Sequence, residues 1–252
     1  MPKFAANISF LFKELPLIDR IQAAAQAGFQ GVEILFPYDD PVPEIARGLS
    51  FAGLPLVLLN APPPNYAGGE RGFAAVPGGQ DRFQHDFRRV VRYAQALKSN
   101  IIHVMAGVAT GADARATYIA NLRHAAAAAP QHLLTIEPIN QQDMPGYFLS
   151  DYDLALDVLD AVGADNVALQ FDAYHAQKIT GNAMAAWGAY GKHARHVQIA
   201  GLPDRHEPTS EVFDYPAFFE RLDSDGYDGF VSAEYHPAGD TNAGLAWLPG
   251  RK

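Results

Sequence analysis

The chain contains no cysteine. Disulfides, thiolate nucleophiles and thiolate zinc sites are thereby excluded, which agrees with a reducing compartment. Basic residues are also scarce: 19 Lys and Arg stand against 28 Asp and Glu, a formal charge of −9. Such a balance repels a phosphate backbone and no basic stripe offsets it locally, so nucleic acid is not an expected partner. No apolar run approaches the roughly 18 residues of a membrane span. The opening MPKFAANISFLFKELP is interrupted by Asn7 and Lys13 and is too short in its apolar part for a signal peptide, so a cytoplasmic protein without a membrane partner is expected. Missing too are a GxGxxG turn, a Gly-Lys-Ser/Thr phosphate loop, an HExxH helix and a GxSxG elbow, which removes dinucleotide, P-loop, zincin and hydrolase-elbow chemistry. No linker composition breaks residues 1–252, and about 250 residues suits one barrel, so a single domain is expected.

What is present is a repeating alternation. Short apolar segments read as buried strands at FAANISF, GVEILF, LPLVLLN, NIIHVMAG, HLLTIEP, VALQFDAYH, RHVQIAG and GFVSAEYH. Between them, IDRIQAAAQAG, DRFQHDFRRVVRYAQALK, RATYIANLRHAAAAA, DYDLALDVLDAVG and PAFFERLDSDG carry apolar residues at helical spacing. Gly28, Gly163 and Gly226 stand where helices would stop. Strands flanked by helices are buried on both faces, which accounts for their Val, Ile, Leu and Phe content. The least regular segment is TGNAMAAWGAYGKHA, which glycines interrupt; it reads as a short helix followed by loop. The longest irregular one is Ala61 to Gly79, a length that suggests a binding loop.

Four strand ends carry oxygen ligands: Glu137, Asp172, Gln198 and Glu234. They lie 35, 26 and 36 residues apart, close to the roughly 30 residues of a strand-helix-strand unit. Three carboxylates and an amide form a set that a hard divalent cation prefers. An open doubly wound sheet would show the same alternation, but it does not readily aim four neighbouring strand ends at one ion, whereas a barrel rim does. The expectation is a (β/α)8 TIM barrel whose chemistry sits over the C-terminal strand ends.

The segments FAANISF, GFQGVEILFPYD, AGGERGFAAVPG, IEPIN, QFDAYHAQ, HVQIAGLPDRHEP and GFVSAEYHP, spread over nearly the whole chain, resemble those of the xylose isomerase-like sugar isomerases and epimerases. Within that group they are most similar to the hydroxypyruvate isomerase family. The resemblance implies that Glu137, Asp172, Gln198 and Glu234 bind Mg2+ or Mn2+ and that Glu137 and Glu234 form the acid-base pair. It implies a small-molecule substrate, hydroxypyruvate, converted through an enediolate to tartronate semialdehyde. It also implies that His175 hydrogen-bonds a substrate oxygen rather than the metal.

Arg71, in the Gly-flanked loop, is the candidate clamp for a substrate carboxylate. Arg205 and His206 are weaker candidates for the same task, and Asn140, Asp143 and Asn60 are candidates for polar lining. His103 reads as core packing. The alternatives are a 2-oxo-tetronate isomerase or ketose 3-epimerase on the same barrel, an abasic-site endonuclease, and a non-catalytic sugar-binding barrel. A homo-oligomer is left open.

Overall fold

The computed structural model describes residues 2–63, 72–209 and 212–250. Eight parallel strands close on themselves in sequence order, β1 next to β2 and so on round to β8 next to β1. They are β1 (Lys3–Asn7), β2 (Gly31–Glu33), β3 (Leu56–Asn60), β4 (Ile101–His103), β5 (Leu133–Ile136), β6 (Val167–Asp172), β7 (Ala194–Ile199) and β8 (Phe230–Ala233). The eight strand segments read from the sequence each overlap one of these. The TIM-barrel expectation therefore holds, and the open sheet does not.

Around the barrel run α1 (Leu17–Ala27), α2 (Val42–Ala52), α3 (Gln80–Leu97), α4 (Gly111–Ala128), α5 (Tyr152–Val162), α6 (Ala173–Thr180), α7 (Ala183–Tyr190) and α8 (Tyr215–Ser224). Amphipathic spacing places them: α3 buries Phe83, Phe87, Val90, Ala94 and Leu97 on one stripe. Local chemistry sets the ends of α5. Asp151 caps its start by accepting from the Leu154 amide at 2.7 Å, and Gly163 stops it in the left-handed region at φ 62°. Two stretches differ from the sequence reading. Helix α2, not among the helical segments named from the sequence, opens on prolines and buries Ile45 and Leu49. The Gly-interrupted segment after β6 holds α7, set off from α6 by a break at Gly181 and Asn182, and runs on as a 3-10 turn over Gly191–His193 where loop was expected.

Strand alternation is what aims the functional residues. In β6, Gln170 and Asp172 turn into the barrel, while Phe171 between them packs outward against Trp187 at 5.2 Å and Tyr152 at 5.5 Å between ring centroids. Phe171 is fully buried, so Phe171→Ala is expected to cost about 3 kcal/mol of unfolding free energy through lost burial and the cavity left behind. Urea unfolding checks this; a loss under about 0.5 kcal/mol would show that the site collapses or is less tightly packed than it looks. No helix among the described residues is long and apolar enough to cross a membrane.

Candidate active site

The C-terminal end of every strand carries a polar side chain: Asn7, Glu33, Asn60, His103, Glu137, Asp172, Gln198 and Glu234, each within one residue of the strand end. All eight are buried. Buried polar groups need partners, and several of these find them in one another. Glu33 accepts from Asn7 Nδ2 at 3.1 Å and from Gln198 Nε2 at 3.0 Å, and it also pairs with His196 Nε2. Glu234 Oε2 accepts from Asn7 Nδ2 at 2.9 Å and Gln198 Nε2 at 2.5 Å, while its Oε1 accepts from Arg205 Nη2 at 2.7 Å. Gln170 links the two halves, donating to Glu137 Oε2 at 3.2 Å and Gln198 Oε1 at 2.8 Å, and Thr135 Oγ1 donates to it in turn at 2.8 Å.

Above this network opens a cavity of about 510 Å³. Glu137, Glu234, His175, Arg205, Asp143, Asn60 and His103 all line it, together with apolar Phe10, Leu35, Met105 and Ile139. Asp172 and Gln198 lie behind these, fully buried. The four strand-end residues singled out from the sequence thus belong to one connected cluster. Glu137, Asp172 and His175 place ligand-type atoms within 4.8 Å of one another.

Charge in this cluster is unbalanced. Burial pushes the Glu137 carboxyl well above its usual range, and the neighbouring Asp172 and Glu234 carboxyls push it further. Burial raises Asp172 as well, against the pull of Arg205 and of backbone amides. Arg205 brings one positive charge, 2.7 Å from Glu234 Oε1 and 3.6 Å from Asp172 Oδ2, with its guanidinium over the Phe10 and Tyr174 rings. Glu137 Oε1 and Asp172 Oδ2 have no hydrogen-bond partner despite being buried. Asp172 Oδ1, by contrast, caps α6 by accepting from Tyr174 N at 2.8 Å. Two unsatisfied carboxylate oxygens in an electron-rich, oxygen-lined pocket fit a hard divalent cation.

Two histidines stay neutral beside these acids. Burial lowers His103 to about 3, helped by repulsion from His196, and burial lowers His175 well below the usual imidazole value. His103 Nε2 lies 3.6 Å from Glu137 Oε2 and lines the cavity, so it is part of the site rather than packing alone. At the rim Asp143 is held down at about 2: burial works against ionisation, and hydrogen bonds from Lys178 and Asn140 overcome it. Of the remaining candidates, His206 stands apart, exposed and with Nδ1 on the His236 carbonyl at 2.7 Å. Arg71 lies outside the described residues. Arg205 is more central than its sequence context suggested. Its loop folds back where Gly201 N donates to His206 O at 2.7 Å, and a Cβ on Gly201 would stand 2.0 Å from the Glu207 carbonyl oxygen.

Asn7, Glu33 and His196 were not singled out in the sequence. The signal was there: the first two hold the same strand-end position as the named ligands, and His196 lies two residues before Gln198, hence on the same inward face.

A closed parallel barrel with buried acids at its carboxyl-end mouth defines a (β/α)8 enzyme. The family described as xylose isomerase-like TIM barrel matches residues 21–250, and the chain belongs to it. A 2-oxo-tetronate isomerase of Cupriavidus necator is 44% identical over 98% of both chains. A hydroxypyruvate isomerase of Escherichia coli is 37% identical, again over 98% of both. A crystal structure named as an AP endonuclease, family 2, from Brucella melitensis is 42% identical over the full length of both chains, with a TM-score of 0.96. With isomerases as its curated relatives across nearly its whole length, the chain is an isomerase.

Proposed function

We propose that this barrel isomerises a short 2-oxo acid bearing a hydroxyl on C3, with hydroxypyruvate and tartronate semialdehyde as the leading pair and 2-oxo-tetronate as the four-carbon alternative. The observation that carries the reading is that Glu137 and Glu234 line one cavity together with Arg205 and His175. Two carboxylates on one cavity suit a proton transfer between adjacent carbons. One glutamate takes the proton from C3 and the C3–C2 double bond forms as an enediolate; the other, entering protonated, gives its proton to C2, while the C3 hydroxyl proton passes to the C2 oxygen, so that C3 becomes the carbonyl and C2 the hydroxyl. The 2-oxo-tetronate case uses the same two carbons; only a hydroxymethyl group on C3 is added.

When bound by Glu137, Asp172, Gln198 and Glu234, Mg2+ or Mn2+ would supply positive charge beside the developing oxyanion and keep the glutamate that takes the C3 proton ionised. His175 Nε2 faces Glu137 and Asp172 at 3.8 and 3.7 Å and donates to a substrate oxygen. Arg205, fixed by Glu234 and Asp172, presents its guanidinium to the same space. Phe10, Leu35, Met105 and Ile139 limit water around the reacting carbons. Arg71 remains the proposed clamp on the substrate carboxylate.

Turnover of hydroxypyruvate, 2-oxo-tetronate and a neutral ketose by the purified protein tests this. Either acid is expected to be isomerised, and reaction in D2O is expected to place deuterium on C2. Activity on ketoses alone would overturn the acid reading. Arg71→Met is expected to lower kcat/KM for the acids by about 10- to 100-fold, the worth of a charged hydrogen bond, with little effect on a ketose. Equal losses on both would reject the clamp. The Brucella structure's name favours a second reading, cleavage at abasic sites, against which the formal charge of −9 argues. Incision of an abasic duplex by the protein would reinstate it.

A further inference from the structure

The Asn140 side chain is fixed in one orientation by its neighbours. Its Oδ1 accepts from two backbone amides, Gln142 N and Asp143 N, each at 3.0 Å. Its Nδ2 donates to Asp143 Oδ2 at 3.0 Å and meets His175 Nδ1 at 2.7 Å. All the hydrogen-bonding capacity of the amide is then used within the protein. Turning it over would set its NH2 against two N–H donors and its oxygen against a carboxylate, so three contacts would become repulsive at once. Asp143 is itself anchored as an acceptor, because Lys178 Nζ donates to its other oxygen at 2.6 Å.

This orientation decides where the imidazole proton sits. His175 Nδ1 faces an N–H donor and must offer its lone pair, so in the neutral ring the hydrogen is on Nε2. Nε2 is the nitrogen that looks toward Glu137 and Asp172. A protonated nitrogen has no lone pair for a cation. The Glu137, Asp172 and His175 cluster is then a pair of carboxylates with a hydrogen-bond donor beside it, not a three-ligand set.

We infer that Asn140 is a positioning residue that locks His175 in the Nε2–H tautomer, so that the ring donates into the cavity and is kept from ligating the cation. The catalytic consequence rests on the isomerase reading above: a donor stabilises the oxyanion that develops on the substrate, and the opposite tautomer would repel it. The tautomer itself does not depend on that reading.

The test uses the full chain with 15N-labelled histidine and two-bond 1H–15N correlation spectra, the His175 signals being those missing from His175→Gln. The unsubstituted protein is expected to show the Nε2–H pattern at His175. Asn140→Asp, which turns the facing donor into an acceptor, and Asn140→Ala, which removes it, are both expected to shift the ring toward Nδ1–H. In both, kcat is expected to fall by about 100-fold, the scale of a lost oxyanion donor, with KM changing much less. An Nδ1–H ring in the unsubstituted protein overturns the inference whether or not either variant folds. An Nε2–H ring persisting in both folded variants overturns it as well. A tautomer that shifts as expected in a protein that turns over none of the acids or ketoses supports the positioning role and rejects the isomerase reading alone.

Discussion

Replacing Glu137 or Glu234 by glutamine is expected to lower kcat by about 10³-fold or more, since a positioned acid or base contributes about 10²- to 10⁴-fold and its partner cannot act alone on the other carbon. The change keeps side-chain size and removes only the ability to accept and return a proton. The two variants should part company in stability. Glu137 has one donor, Gln170 Nε2 at 3.2 Å, an unpaired Oε1 and a crowd of neighbouring carboxyls, so an amide there relieves repulsion. Glu137→Gln is therefore expected to unfold at the same urea concentration as the parent or a higher one. Glu234 is surrounded by donors from Asn7, Gln198 and Arg205, and an amide nitrogen would have to face at least one of them. Glu234→Gln is expected to lose about 1–3 kcal/mol for the donor left without an acceptor. Steady-state rates and urea unfolding on both proteins check the pair. Full activity in either variant would remove that glutamate from the acid-base role, and equal stabilities would mean that the hydrogen-bond asymmetry has no energetic weight.

The barrel could be read from sequence because strand and helix periods alternate along the chain and because the ligand-bearing ends recur at the length of one strand-helix unit. The half of the site on β5 to β8 was legible for the same reason: Glu137, Asp172, Gln198 and Glu234 are conspicuous as oxygen ligands in apolar segments. The other half was obscured by residue type. Asn7 sits in a strand whose neighbours are alanines, Glu33 in a strand of three residues, and His103 at the end of IIH, where one histidine looks like packing. Only closure of the ring brings Asn7 and Glu33 onto Glu234 and Gln198, contacts that span 227 and 165 residues of sequence. Asp172 shows why a lone strand-end acid is ambiguous from sequence. One oxygen caps α6, as a structural carboxylate would, and the other is left without a hydrogen bond at the centre of the site. The weight of Arg205 was hidden too, because its approach to Glu234 depends on a loop folding back at Gly201.

Removing divalent cations is expected to reduce turnover to background, and Mg2+ or Mn2+ added back is expected to restore it. The reason is electrostatic. Glu33, Glu137, Asp172 and Glu234 are buried at one end of the barrel, and Arg205 contributes a single compensating charge to Asp172 and Glu234. A carboxyl held above its usual range by burial and by its neighbours makes a poor base near neutral pH, and a nearby dication lowers it toward the ionised state that a base requires. The same charge relief should appear as stability. A ligand that binds only the folded chain adds about 2.7 kcal/mol at a hundred times its dissociation constant, which for a chain of this size raises Tm by about 5–10 °C. Asp172→Asn is expected to remove most of that rise, because Asp172 Oδ2 is one of the two carboxylate oxygens of the site without a hydrogen-bond partner and the amide has no charge to offer. Melting curves in chelator and in Mg2+ or Mn2+, run beside the rate assay, separate the two consequences. A thermal rise without activity would mean a cation that only holds the barrel mouth together. Full turnover in chelator with no thermal rise would mean that Arg205 and the neutral histidines carry the oxyanion without a metal.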